Sequence, residues 1–81
     1  MCVIISDHAR QRFRMRGGKG KLSTARVERS LKHTLRLGAA YQNEAVRTQI
    51  DAHLDAVCMP LSGAEGGGWV CVTVEPRKEL A

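Results

Sequence analysis

The sequence predicts an α+β fold in which two N-terminal helices pack on a three- to four-stranded antiparallel sheet. Three observations predict it. Helix-period apolar spacing is confined to the first half of the chain, two-residue alternation to the second half, and Gly or Pro closes most segments. Helices followed by consecutive strands on short turns form segregated layers. At 81 residues the chain reads as one domain, 1–81.

The segments follow in order. Residues 1–5 (Met-Cys-Val-Ile-Ile) read as a short strand or a packed N-terminal arm. Ser6 and Asp7 are both good helix N-caps. Behind them, 7–17 forms the first helix, with no Gly, Pro or β-branched residue before Gly17-Gly18 ends it. Ala9 and Phe13 share its core face and Arg10 and Arg14 point away. The stretch Gly17-Gly18-Lys19-Gly20-Lys21 is a basic loop, read as a solvated linker with phosphate contact as the alternative; it lacks Walker spacing. The second helix, 23–37, opens on Ser23, with Leu22 placed to staple onto Val27. Val27, Leu31 and Leu35 then recur every four residues, and Gly38 stops the helix.

From there the period is two. Strands are expected at about 39–42, 45–51, 54–59 and 69–75, with 77–81 a frayed tail. Pro60 and Pro76 end the last two strands. Val70, Val72 and Val74 are expected to line the core, leaving Trp69, Cys71, Thr73 and Glu75 on the other face or its rim.

Composition sets limits on function. The chain is 43% hydrophobic and 26% charged, which suits a globular protein rather than a disordered one. With one Trp, one Tyr and one Phe, the core must rest on aliphatic residues, and Phe13 and Trp69 are its largest available side chains. Thirteen Lys and Arg against eight Asp and Glu give a net charge of +5, and six cations crowd residues 10–21. That excess favours a polyanion, with nucleic acid first. Three cysteines without a Cys-x-x-Cys spacing do not make a disulfide scaffold, so Cys58 and Cys71 are expected reduced and the protein cytoplasmic. The five-residue apolar start is too short for a signal peptide, and no apolar run reaches membrane-spanning length, so no membrane partner is expected.

The chemistry concentrates on the first helix. His8, Arg12 and Arg16 recur at four-residue intervals and form one stripe beside the Ala9/Phe13 face. An imidazole exchanges a proton near neutral pH; a guanidinium matches phosphate oxygens with a fork. Arg10, Arg14, Lys19 and Lys21 are candidate nucleic-acid contacts, with Trp69 a candidate platform for a base. Thr73 supplies a hydroxyl within a valine run. The plainer alternative is a helix with a solvated basic face and a histidine near its cap. His33 reads as solvated on the polar side of the second helix, and His53 sits in a turn. No ligand spacing supports a metal site, and no cofactor is expected.

The run Ser6-Asp7-His8-Ala9-x-x-Arg12-x-x-x-Arg16, followed by a second helix and a closing Val72-Thr73-Val74 strand, resembles a family of small bacterial and phage domains of unknown function. That family is grouped with the barnase–EndoU–colicin–RelE type of ribonuclease-toxin fold. The resemblance implies a metal-independent endoribonuclease, toxin-like, in which a ribose 2′-hydroxyl attacks the adjacent phosphodiester. It implies His8 as general base or acid, Arg12 and Arg16 as stabilisers of transition-state charge, and Thr73 as a hydroxyl that orients a phosphate oxygen. RNA is then the expected partner, with an antitoxin or host protein as a further one. The alternatives are an RNA- or DNA-binding module without chemistry and a small phage or plasmid protein that binds an acidic host protein.

Overall fold

The computed structural model describes residues 2–38, 45–61 and 68–77. Its elements run β1 (Cys2–Ile5), α1 (Asp7–Met15), α2 (Thr24–Arg36), β2 (Val46–Gln49), β3 (Leu54–Pro60) and β4 (Gly68–Pro76). The α+β class stands, with two helices and four strands. The expected strand at 39–42 lies outside the described residues, as does most of the tail at 77–81.

Two corrections concern the sheet. Its order is β1-β4-β3-β2, and it is mixed rather than antiparallel. β1 pairs parallel to β4, in register Val3 with Trp69 and Ile5 with Cys71; the other pairings are antiparallel. The helices are therefore not both N-terminal, because a strand precedes them. The cause is the crossover: β1 leads into two helices that carry the chain to the far edge, and such a connection is what parallel strands require.

Local chemistry fixes the helices. The Ser6 hydroxyl accepts from the Ala9 N–H at 3.0 Å and caps α1. At the other end the Gly18 N–H donates to the Phe13 carbonyl (2.8 Å) and the Gly17 N–H to the Arg14 carbonyl (3.1 Å). These are the two bonds of a Schellman motif, with Gly17 at φ +80° as its left-handed residue. α2 starts on Ser23, whose hydroxyl accepts from the Arg26 N–H. It stops at Leu37, followed by Gly38 at φ +89°. Leu22 and Val27 are both buried, as the staple requires.

Both helices cover one face of the sheet. The core between them holds Val3, Ile5, Ala9, Phe13, Leu22, Val27, Leu31, Val46, Leu54, Ala56, Cys58, Trp69, Cys71 and Val74, with Leu35 packed against it. Each large aliphatic or aromatic member contributes about 1.5–3 kcal/mol by leaving water. The core face of β4 differs from the expected Val70, Val72 and Val74. After Gly68, the buried residues are Trp69, Cys71 and Val74, while Val70 and Val72 are half-buried. The reason is a β-bulge: Cys58 pairs with Cys71 but Val57 pairs with Thr73, so Val72 is the extra residue. The inward set switches parity there.

The outer face carries an ion-pair network at one end. Arg47 meets Asp55 (3.6 Å) and Glu75 (3.1 Å), and Arg77 meets Asp55 (3.6 Å). Toward β1 the same face is apolar, with Ile4 54% and Met59 37% exposed. No described helix is long and apolar enough to cross a membrane.

Cys58 and Cys71 face each other across β3 and β4 as free, buried thiols, and Cys2 is exposed. The hydrogen bond with Cys71, together with burial, pushes the Cys58 thiol far above its ordinary value. Cys58 stays protonated at neutral pH, whereas the same bond lowers the Cys71 thiol, which burial alone shields from reagent. An alkylating reagent should therefore modify Cys2 alone in native buffer and all three cysteines after denaturation; rapid native labelling of a second thiol, read by mass, would contradict this packing.

Phe13 constrains the turn after α1. A Cβ on Gly18 would lie 2.5 Å from the Phe13 ring. Gly18→Ala should cost about 1–3 kcal/mol in denaturant unfolding by overpacking, and clearly less in a Phe13→Leu background. An equal cost in both backgrounds would exonerate the ring.

Candidate nucleic-acid interface

The position of α1 follows from how β4 is edged. β1 ends at Ile5, opposite Cys71. Beyond that point side chains and backbone from the start and end of α1 take over the exposed edge of β4. The Ser6 N–H donates to the Cys71 carbonyl (3.1 Å) and the Ser6 hydroxyl to the Val72 carbonyl (3.2 Å). Arg16 Nε donates to the Val74 carbonyl at 3.1 Å. These part-buried carbonyls would otherwise lie along an open strand edge with no protein donor. Ala9 and Phe13, buried in the core, complete the seating of the helix.

With Ala9 and Phe13 turned inward, helical geometry at 3.6 residues per turn divides the remaining cations. His8, Arg12 and Arg16 lie on the flank toward the β4 edge. Arg10 and Arg14 lie on the opposite flank. His8 is exposed and Arg12 half-buried, and neither side chain has a hydrogen-bond or ion-pair partner among the described residues. Arg16, by contrast, is anchored by its bond to Val74. Thr73, one residue before that carbonyl, is half-buried on the outer face of the sheet, paired with Val57. Arg16 thus reaches the β4 edge beside Val74, while the Thr73 hydroxyl lies on the face of the sheet away from α1, so the structure does not bring it together with the stripe.

The second flank forms a cavity of about 350 Å³ lined by Arg10, Phe13, Arg14, Gly20, Lys21 and Leu22. Arg10 Nη1 donates to the Leu22 carbonyl at 3.0 Å and ties the loop to the helix. Gly20, at φ +74°, turns the loop back toward α1. Phe13 and Leu22 form an apolar floor, and the Arg26 guanidinium stands 5.9 Å from the Phe13 ring centre. Three of the four expected basic contacts, Arg10, Arg14 and Lys21, therefore converge on one cavity. Lys19 is exposed in the same loop but does not line it.

Trp69 requires a correction. It is 5% exposed and belongs to the core. Its ring is part of the packing between sheet and helices, not a surface on which a base can stack. The bulge explains the misplacement, because the alternation read outward from Val74 changes parity before it reaches Trp69.

One carboxylate, Asp7, stands in the first turn of α1 and makes no ion pair among the described residues. Among the described residues Asp51 pairs with Arg26, and Asp55 and Glu75 pair with Arg47 and Arg77. None pairs with a cation between residues 8 and 21. Sequence reasoning left out Gly20 and Leu22 as cavity residues. The available signal was the Gly-x-Gly turn next to the helix staple, which forces the loop back over Phe13. Among the described residues no group of three or more His, Cys, Asp or Glu is placed to hold a metal ion.

Comparison of the chain with protein-family models, curated proteins and solved structures gives no match.

An anion bound in this cavity would sit against Arg14. Arg14→Ala should weaken binding of single-stranded RNA and reduce the slope of log affinity against log salt by about one. An unchanged slope, measured by fluorescence anisotropy, would remove Arg14 from the interface.

Proposed function

We propose that this protein binds RNA through α1 and the loop that follows it, and that it cleaves the bound strand without a metal ion. The observation that carries the binding half is the convergence of Arg10, Arg14 and Lys21 on one cavity with no carboxylate in its lining. Uncompensated cations on a small surface attract phosphates by displacing condensed counterions. The apolar floor of Phe13 and Leu22 suits the edge of a sugar or base beside the phosphate.

The cleavage half rests on the other flank and on the resemblance of the His-Ala-x-x-Arg-x-x-x-Arg helix to the ribonuclease-toxin grouping. An α-helix is about 10 Å across with its side chains, so its two flanks can hold neighbouring phosphates of one strand. His8 takes the proton from a ribose 2′-hydroxyl, the freed oxygen attacks phosphorus, and the 5′-oxygen leaves. The departing 5′-oxygen takes a proton from solvent water and protonated His8 returns its own to solvent, so the products are a 2′,3′-cyclic phosphate and a free 5′-hydroxyl. Arg12 carries the charge that builds on the phosphoryl oxygens. Arg16, held on Val74, fixes the rim of the site, and Thr73, on the outer face of the same strand, could donate only to a phosphate that passes round the β4 edge. An antitoxin or host protein that covered this face would act by displacing RNA.

A specific observation favours a second reading, an RNA-binding module without chemistry. No described side chain or carbonyl orients the His8 imidazole, and a general base works best when another group holds it. One experiment separates the two. Labelled RNA is incubated with wild type and His8→Ala in EDTA, with binding measured alongside. General acid–base catalysis is worth about 10²–10⁴ in rate. The cleavage reading expects a loss of that size in His8→Ala with RNA affinity retained. Equal rates in the two proteins would leave only the binding module.

A further inference from the structure

A second polar cavity lies away from α1, between the C-terminal half of α2 and the edge strand β2. It measures about 370 Å³ and is lined by Arg29, Ser30, His33, Thr34, Thr48 and Gln49. From these residues we propose a second phosphate-binding site, independent of the RNA face on α1.

The arrangement follows from the two elements. Arg29 with His33, and Ser30 with Thr34, are i,i+4 pairs, so four polar side chains stand side by side on one helical face. Thr48 and Gln49 come up from β2. Thr48 is only 2% exposed, and its hydroxyl lies 2.7 Å from that of Thr34. Each threonine hydroxyl carries a single hydrogen, and this contact consumes one of the two. The other has no acceptor among the described residues. Whichever threonine accepts keeps a hydrogen that it can offer to an oxygen ligand in the cavity, which Arg29 and His33 also line.

The rest of the lining agrees in sign. Gln49 gives one N–H to the Asp51 carbonyl (3.1 Å) and has a second to offer. The Asp51 carboxylate is turned to Arg26 at 3.8 Å. No carboxylate lines the cavity. Donors thus approach from a helix on one side and a strand on the other, with a charge on the helix side. A tetrahedral phosphate can meet donors from several directions at once, whereas a planar carboxylate accepts within one plane. The phosphate can be free, on a small molecule, or part of a nucleic-acid backbone.

The test uses the ring resonances of the histidines in the full chain. Inorganic phosphate, with sodium chloride at matched ionic strength as control, should move the His33 ring signals along a saturating curve. His53, exposed in the β2–β3 turn, reports general salt effects. Arg29→Gln, at an exposed position, should weaken the phosphate response about tenfold, the scale of one charge-assisted hydrogen bond. Thr48→Val should weaken it too, and the unchanged fold of Arg29→Gln guards against misreading a destabilised variant. A parallel titration with a single-stranded RNA oligonucleotide identifies the source. Saturation at lower concentration than inorganic phosphate assigns the site to a nucleic-acid backbone, and a response to phosphate alone assigns it to a small anion. A His33 response that merely tracks His53, or that survives Arg29→Gln unchanged, overturns the site. Loss of RNA binding in Arg14→Ala leaves this result untouched, so the two surfaces stand or fall separately.

Discussion

The structure depends on how one edge of β4 is closed. β1 covers that edge as far as Cys71 and then stops. Ser6 and Arg16 satisfy the next carbonyls, Val72 and Val74. A serine that caps α1 thus also bonds a strand 66 residues away. Buried or half-buried carbonyls left without donors cost about 1–3 kcal/mol each, so the pairing holds α1 at this edge and in this rotation.

That rotation decides what the helix shows to solvent. Once Ala9 and Phe13 face inward, the cations have nowhere to go but the two flanks. One flank runs along the β4 edge and carries His8 and Arg12. The other meets the returning loop and makes a cavity with Lys21. On the outer sheet face the described charges cancel locally, with Arg47 and Arg77 against Asp55 and Glu75. These partly exposed pairs contribute modest stability, and they leave the cations of α1 as the unpaired ones among the described helix residues facing the β4 edge and the loop.

Much of this was legible in the sequence for local reasons. Caps at Ser6 and Ser23, the glycine stops, and the Ala9/Phe13 and Val27/Leu31 stripes all act within a few residues, and they stand as read. The basic stripes were legible because helical periodicity alone fixes which cations share a flank. What escaped was non-local. The segment Cys2–Ile5 is apolar at every position, so its alternation was invisible, and its partner lies at the other end of the chain. The bulge at Val72 reversed the faces of β4 upstream, which buried Trp69 and Cys71 and withdrew the indole from any base-stacking role. Nothing in a valine-rich run marks which residue will be the extra one. The Thr34–Thr48 contact across two elements was equally beyond periodicity.

The central claim is that α1 and its loop form the face that meets RNA. Backbone amide shifts of isotope-labelled protein, titrated with a single-stranded oligonucleotide whose 2′-hydroxyls are blocked against cleavage, test it most directly. The account predicts that the largest perturbations fall between His8 and Leu22. Perturbations concentrated instead around Ile4, Met59 and Val70 on the outer sheet face, with α1 silent, would contradict it.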